Sequence, residues 1–383
     1  MRTSKGTYWL LVGILTISVG CSSHSGASSS ATAADRSFGV PLTTSLTTSS
    51  GTWATFPMGH LDDPTNTFWE VFTLPSGGQN WAEHTPPDVA DNGGLVIAPT
   101  SGGAVVGFRP SNLLSFSPLA STIDGGTTYT AGLLSGGLAK VPDALSVSSS
   151  GRAAALTTTQ VLTSAALLSA WRPVTTLAAL RASPAGQACG AGQVTAVMTT
   201  DSDIFVGLSC SLPGVVGLLQ HAGSAFVSAA VQLPAADARD VVDVLRIVQY
   251  KQGVAALIGV HNGSTTTYIA AWNSAPGSAA WTLSAPQPTS GTLMSTGVTS
   301  SVGFAVLIKA NSGALTAQVV AGPGGSWTQL ATPPAGTATI SVASNRSDAL
   351  VVDSDTVTDY QLTDGQWVKA QTVQVAIPYG SSG

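Results

Sequence analysis

An aromatic residue recurs along the chain at nearly even intervals, each time after a turn and before a short apolar stretch, often closed by proline. The positions are Trp81, Tyr129, Trp171, Phe226, Trp281, Trp327 and Trp367, with successive spacings of 48, 42, 55, 55, 46 and 40 residues. A fixed period of this order is the mark of a repeat architecture, in which one unit cannot bury its apolar face alone and must stack on its neighbours.

Between these markers the sequence reads strand, tight turn, strand. Ala144 to Ser149 and Ala153 to Thr159 flank Gly151-Arg152. The same scheme returns in Val194 to Thr199 with Phe205 to Ser209, Val241 to Tyr250 with Val254 to Val260, Leu293 to Val298 with Phe304 to Lys309, and Ile340 to Ala343 with Ala349 to Val352. Strands rich in Val, Ile, Thr and small residues, cut by Gly, Ser, Asp and Asn, are what four-stranded sheets joined by tight turns require. Seven such units predict an all-β chain, a seven-bladed β-propeller over residues 51–379, its first blade spanning Thr52 to Pro87. A terminal strand is expected to close the ring. The Ala- and Leu-rich stretch from Ala153 to Ala182 is read as β, because Thr157-Thr158-Thr159 and Pro173 interrupt any helix.

Composition removes several function classes. Charged residues make up 9% of the 383 residues, with 14 Lys and Arg against 19 Asp and Glu. No basic run exists to neutralise phosphates, so nucleic acid is excluded as a partner. A hydrophobic fraction of 44% fills a large core and excludes intrinsic disorder.

The N-terminus reads as an address. Arg2 and Lys5 precede an apolar stretch from Tyr8 to Val19, which is short of the roughly 20 residues a spanning helix needs. The stretch ends Ile17-Ser18-Val19-Gly20-Cys21 and resembles a bacterial lipobox, with Ser18 standing where Leu is commonest. The resemblance implies a signal peptide over residues 1–21, lipidation of Cys21 and anchoring at the extracytoplasmic face of the cell membrane. A Ser/Thr/Ala-rich tether is expected over residues 22–50. The two remaining cysteines, Cys189 and Cys210, flank a predicted hairpin and are expected to form a disulfide in an oxidising compartment.

One turn carries a motif. Thr122-Ile123-Asp124-Gly125-Gly126-Thr127-Thr128-Tyr129 resembles the Asp-box of sialidase-like propellers, with Thr122, Asp124, Gly126, Thr128 and Tyr129 at the pattern positions. That resemblance implies a hairpin between a blade's outer strands with the aromatic packed beneath it, and it leaves chemistry open. Gly107-Phe108-Arg109-Pro110 is similar to the Phe-Arg-Ile-Pro element of that family but lacks the Ile. Arg172, Arg181, Arg239 and Arg246 are read as lying on solvated faces, and Glu70 and Glu83 are the chain's only Glu residues. No carboxylate pair of glycosidase type can be assigned. His24, His60, His84, His221 and His261 show no metal-ligand spacing. No catalytic residue, metal or cofactor is therefore expected.

Acidic residues concentrate in one region. From Ser37 to Phe108 there is no Lys or Arg, whereas six acids fall there; residues 109–383 carry 12 acids against 11 bases. His60, Asp62, Asp63, Asn66 and Glu70, with Asp91 and Asn92 from the next loop, form a candidate binding patch. Turn chemistry explains the same residues, since Asp-Pro and Asp-Asn-Gly are good turn formers. The sequence thus points to an envelope-anchored propeller that binds or scaffolds, its partner an envelope protein or glycan. The runner-up is a propeller glycoside hydrolase or lyase acting on glycans.

Overall fold

The structure is a computed structural model and describes residues 43–61, 66–87, 94–108, 118–131, 143–157, 159–165, 170–235, 237–275, 277–278 and 280–377. The described chain is nearly all β, built from antiparallel up-and-down runs of four strands. The first run is β1 to β4 (Thr43–Thr48, Gly51–Gly59, Thr67–Pro75, Ala82–Glu83), and the second β5 to β8 (Leu95–Pro99, Ala104–Phe108, Leu119–Thr122, Thr130–Ala131). Next come β9 to β12 (Ala144–Val147, Ala153–Thr157, Gln160–Ser164, Arg172–Thr176) and two short helices, α1 (Leu177–Ala182) and α2 (Pro184–Cys189). They lead into β13 to β16 (Ala191–Thr199, Ile204–Cys210, Leu218–Ala222, Ala225–Ser228). The run β17 to β20 (Val241–Tyr250, Gly253–Asn262, Thr265–Asn273, Thr282–Leu283) carries an extra strand, β21 (Gln287–Ser290), on β19. The chain ends with β22 to β25 (Thr292–Val298, Phe304–Lys309, Leu315–Val320, Trp327–Gln329) and β26 to β29 (Thr337–Val342, Ser347–Asp353, Thr356–Thr363, Gln366–Gln374).

Successive runs pack face to face in sequence order, β2 on β5, β5 on β9, β9 on β13 and β13 on β17; later β22 packs on β26, and β26 returns to β1. The second strand of a run is therefore covered on both faces. Ala104–Phe108, Ala153–Thr157 and Ile204–Cys210 are buried at every position. Continuous small apolar strands, instead of alternating ones, follow from that two-sided burial. It also explains why the chain holds so few charges.

The periodic aromatics mark one structural position. Each stands at or just before the fourth strand of its run, as Trp81 before β4, Tyr129 before β8, Trp171 before β12, Phe226 in β16, Trp281 before β20, Trp327 in β25 and Trp367 in β29. Four of them reach back to the preceding run just past its own fourth strand. Tyr129 Oη donates to His84 O at 2.7 Å, Trp281 Nε1 to Ala229 O at 2.8 Å, Trp327 Nε1 to Ser284 Oγ at 3.1 Å and Trp367 Nε1 to Ala331 O at 3.0 Å. The recurring donor stitches neighbouring runs at their outer rim. At the join of last and first runs, the Gln371 side chain accepts from Trp81 N at 2.7 Å and donates to Trp81 O at 2.8 Å.

Three expectations about boundaries change. Residues 43–50 are not tether, because Thr43–Thr48 forms β1, antiparallel to β2 and parallel to β22. Its Ser/Thr composition concealed a buried Leu46, together with buried hydroxyls that bond onward: Thr44 Oγ1 to Thr296 O at 2.9 Å and Ser45 Oγ to Ile340 O at 2.6 Å. The N-terminal strand thus pairs with β22 and not with a strand of the last run. Gly297 allows this, since a Cβ there would stand 2.7 Å from Ser45 Oγ and 3.0 Å from Ile340 O. Finally, the Ala/Leu-rich stretch turns helical at Leu177, where the Thr176 side chain caps α1 by accepting from Ala179 N at 3.1 Å.

Candidate functional site

The first strands of six runs, β1, β5, β9, β13, β17 and β22, surround a central cavity of about 430 Å³. β26 is absent from this wall because the β1–β22 pairing lies in front of it. Leu46, Ile97, Val197, Ile247 and Val298 supply apolar wall; Thr47, Ser146, Thr195 and Thr199 supply hydroxyls. Such a lining, aliphatic side chains interspersed with hydroxyls and with the charged Asp143 and Arg246, suits a small-molecule pocket, and the volume falls in the usual range.

The first strands carry β-bulges. Register slips by one residue at Thr195 in β13, Leu245 in β17, Met294 in β22 and Ala338 in β26. A bulge re-aims the side chain beside it. In β17 that side chain is Arg246, which lines the cavity. Its Nε and Nη2 both donate to Thr296 Oγ1, at 2.9 and 2.6 Å, and Thr296 is fully buried. Among the described residues no carboxylate pairs with it, and burial alone draws its pKa down to about 10, so the group stays cationic at neutral pH. The reading of Arg246 as a solvated residue is therefore corrected, whereas Arg172, Arg181 and Arg239 are exposed. Sequence held a signal that reading passed over: a lone Arg inside the apolar β17 stretch, next to strands with no charge of their own.

Of the predicted acidic patch, the three described members, His60, Asn66 and Glu70, stand apart from the cavity. His60 is exposed at the end of β2, its N donating to Asn66 O at 2.9 Å and its carbonyl accepting from Thr67 Oγ1 at 2.7 Å, so His60 and Asn66 close the β2–β3 connection. Glu70 is buried within β3, 8% exposed, and accepts from Thr85 Oγ1. Among His60, Asn66 and Glu70, none lines the cavity. Asp62, Asp63, Asp91 and Asn92 lie outside the described residues, as do Cys21, Arg109 and Pro110.

The turn between β7 and β8 is a closed hydrogen-bond system. Asp124 Oδ1 accepts from Thr122 Oγ1 at 2.8 Å and Thr128 N at 3.0 Å; Oδ2 accepts from Thr128 Oγ1 at 2.6 Å. Gly126 N donates to Thr122 Oγ1 at 2.9 Å. The Thr128 hydroxyl and amide, then the Thr122 hydroxyl, draw the Asp124 carboxyl down to about 2. Tyr129 is raised by burial, and by the negative charges of Glu83 and Asp124. Gly126 has φ +98°, and a Cβ there would meet the His84 ring. The arrangement is a surface turn in which the Asp124 carboxylate accepts from hydroxyls and an amide of the turn itself.

Two further groups are structural. Cys189 and Cys210 form a disulfide between the end of α2 and the end of β14, with Cα atoms 5.1 Å apart. Arg346 holds Asp348 through Nε at 2.6 Å and Asp359 through Nη2 at 2.8 Å, while Nη1 donates to Gln79 O at 3.0 Å in the first run. Desolvation, then the neighbouring Asp359 charge, lifts Asp348 to about 7, and desolvation also raises Asp359. Among the described residues no three His, Cys, Asp or Glu side chains gather as metal ligands, and no helix is long and apolar enough to cross a membrane.

No protein-family model matches the chain. No curated protein matches it either. Among solved structures, it is similar to a putative 6-phosphogluconolactonase from Bacteroides uniformis, with 12% identity over 86% of this chain and 98% of that one and a TM-score of 0.50. A second putative 6-phosphogluconolactonase, from Bacteroides fragilis, has 9% identity over 86% of this chain and 97% of that one, also at 0.50. YCF48 from Cyanidioschyzon merolae shows 14% identity over 83% of this chain and 94% of that one, at 0.48. At such identities the likeness is one of fold, and it places the chain among β-propeller-like architectures.

Proposed function

We propose that the chain is a cell-envelope lipoprotein whose seven-bladed β-propeller is a binding module, with its ligand seated in the central cavity. The observation that carries this reading is the cavity itself, about 430 Å³ and walled by the first strands of six runs, a size and lining suited to holding a small molecule or the end of a longer one. Each four-stranded run is taken as one blade, and the turn at Asp124 as an Asp-box kept for its structural role. The partner is an envelope protein or glycan that presents such a group. Lipid on Cys21 holds the module at the extracytoplasmic face of the membrane. A disulfide of Cys189 with Cys210 suits that oxidising side.

The test uses the full chain in detergent and a variant with the cavity filled. Val248 lies on the cavity wall two residues beyond Arg246, so Val248→Trp places an indole in the space. Unfolding midpoints are measured against a panel of small molecules, because a ligand that binds only the folded state raises stability by RT ln(1 + [L]/Kd). Compounds that raise the midpoint of the wild type and leave Val248→Trp unmoved support the reading. Compounds that raise both equally place binding elsewhere and refute it.

A further inference from the structure

Charge is almost missing from the first strands of the runs. Among the residues of β1, β5, β9, β13, β17, β22 and β26, only Asp243 and Arg246 are charged, and both are on β17. They part company at the bulge. Asp243 is fully buried with Oδ2 2.8 Å from His261 Nε2 and does not line the cavity; Arg246 does. A guanidinium has five N–H donors in a planar fork. Here Nε and Nη2 share a single hydroxyl, Thr296 Oγ1, and among the described residues the group has no other hydrogen-bond partner. Arg246 is half-buried with no counter-charge among the described residues, withdrawing a cation from water is costly, and an anionic ligand offsets that cost when it binds.

The rest of the wall narrows the ligand's chemistry. Among the described residues it mixes aliphatic side chains with neutral hydroxyls, and Arg246 is its one cation and Asp143 its one carboxylate. One guanidinium balances one negative charge, and its fork matches a carboxylate in two parallel bonds. A phosphate monoester brings nearly two charges and finds no second cation among the described lining residues. We propose that Arg246 receives the carboxylate of a small organic acid whose apolar body lies against Leu46, Leu245, Ile247 and Val298. This assignment rests on the cavity-binding reading above and adds the ligand's class and the residue that selects it.

The test pairs benzoate with benzamide, equal in shape and different in charge, on the full chain in detergent by ligand-observed NMR. Benzoate is expected to bind the wild type roughly 10- to 100-fold tighter than benzamide, the span of a charge-assisted hydrogen bond of about 1.5–3 kcal/mol. Arg246→Gln removes that preference; Arg246→Lys, which keeps a cation without the fork, retains part of it and serves if the Gln variant does not fold. Equal binding of the two probes to the wild type, or a preference that survives Arg246→Gln, overturns the assignment. If the probes bind equally and Val248→Trp abolishes both, the cavity reading stands while the role of Arg246 falls. If Val248→Trp leaves benzoate binding intact, or neither probe binds the wild type, both fall. Displacement of benzoate by an equal concentration of inorganic phosphate overturns the carboxylate class.

Discussion

Gly297→Ala probes the junction that seals the cavity, and two effects of opposite sign compete there. Gly297 has an ordinary strand backbone, so alanine on its own stabilises by about 0.4–1 kcal/mol through the unfolded chain. Against this, the new Cβ would stand 2.7 Å from Ser45 Oγ, 3.0 Å from Ile340 O and 3.3 Å from Ala305 Cβ. The carbonyl is backbone in β26 and cannot step aside. Ser45 Oγ can rotate, but only by giving up its 2.6 Å bond to that same carbonyl. Overpacking costs about 1–3 kcal/mol and the lost bond about 1 kcal/mol. The contact wins, and the net loss is about 1–3 kcal/mol. Denaturant unfolding of the wild type, Gly297→Ala, Ser45→Ala and the double variant measures it. Because the closest of these contacts is to the Ser45 hydroxyl, the cost of Gly297→Ala should shrink in the Ser45→Ala background by at least about 0.5 kcal/mol, the usual coupling of touching residues. A stabilising Gly297→Ala, or strict additivity, would refute the three-strand junction of β1, β22 and β26.

Three more outcomes are expected. Asp348 is raised from 3.8 to about 7, so the folded state binds more protons than the unfolded one between those values; stability from the Arg346–Asp348–Asp359 group falls as pH rises from about 4 to about 7, and Asp348→Asn should flatten that slope in unfolding curves taken across the range. Replacing Cys189 and Cys210 by Ala releases a constraint across a sequence separation of 21, worth about 3 kcal/mol at 25 °C by chain entropy, and the loss should appear in the denaturant midpoint. Cys21→Ala should move the protein from the detergent phase to the aqueous phase in detergent partition, because it removes the residue that would carry the lipid; unchanged partition contradicts the anchor.

The repeat was legible because one chemical requirement recurs: each run needs an aromatic at its outer rim, and Trp or Tyr there can also bond back to the run before it. β1 was hidden because its hydroxyls serve as buried donors to Thr296 and Ile340, and composition cannot distinguish those from tether serines and threonines. Helix α1 escaped notice since a single cap at Thr176 decides where the β-rich stretch ends. The disulfide could be anticipated from two cysteines flanking one hairpin, although Cys189 proves to close a helix and not a strand. The candidate site was the least legible part. Charge clustering drew attention to His60 and its neighbours, but cavity position depends on which strand of each run is innermost and on a one-residue bulge at Leu245. Neither is visible as a local pattern. Glu70 entered the candidate patch on its acidity, whereas it is buried inside the first run and accepts from Thr85.

The most direct test of a ligand seated among the first strands uses a thiol placed there. Val248→Cys adds one to the wall of a chain whose Cys189 and Cys210 are already paired. The rate of alkylation by iodoacetamide is followed in the folded protein with and without a compound that raises its unfolding midpoint. The cavity account predicts that the thiol reacts when the cavity is empty and is protected in proportion to occupancy. A thiol that reacts at the same rate at every ligand concentration would contradict it.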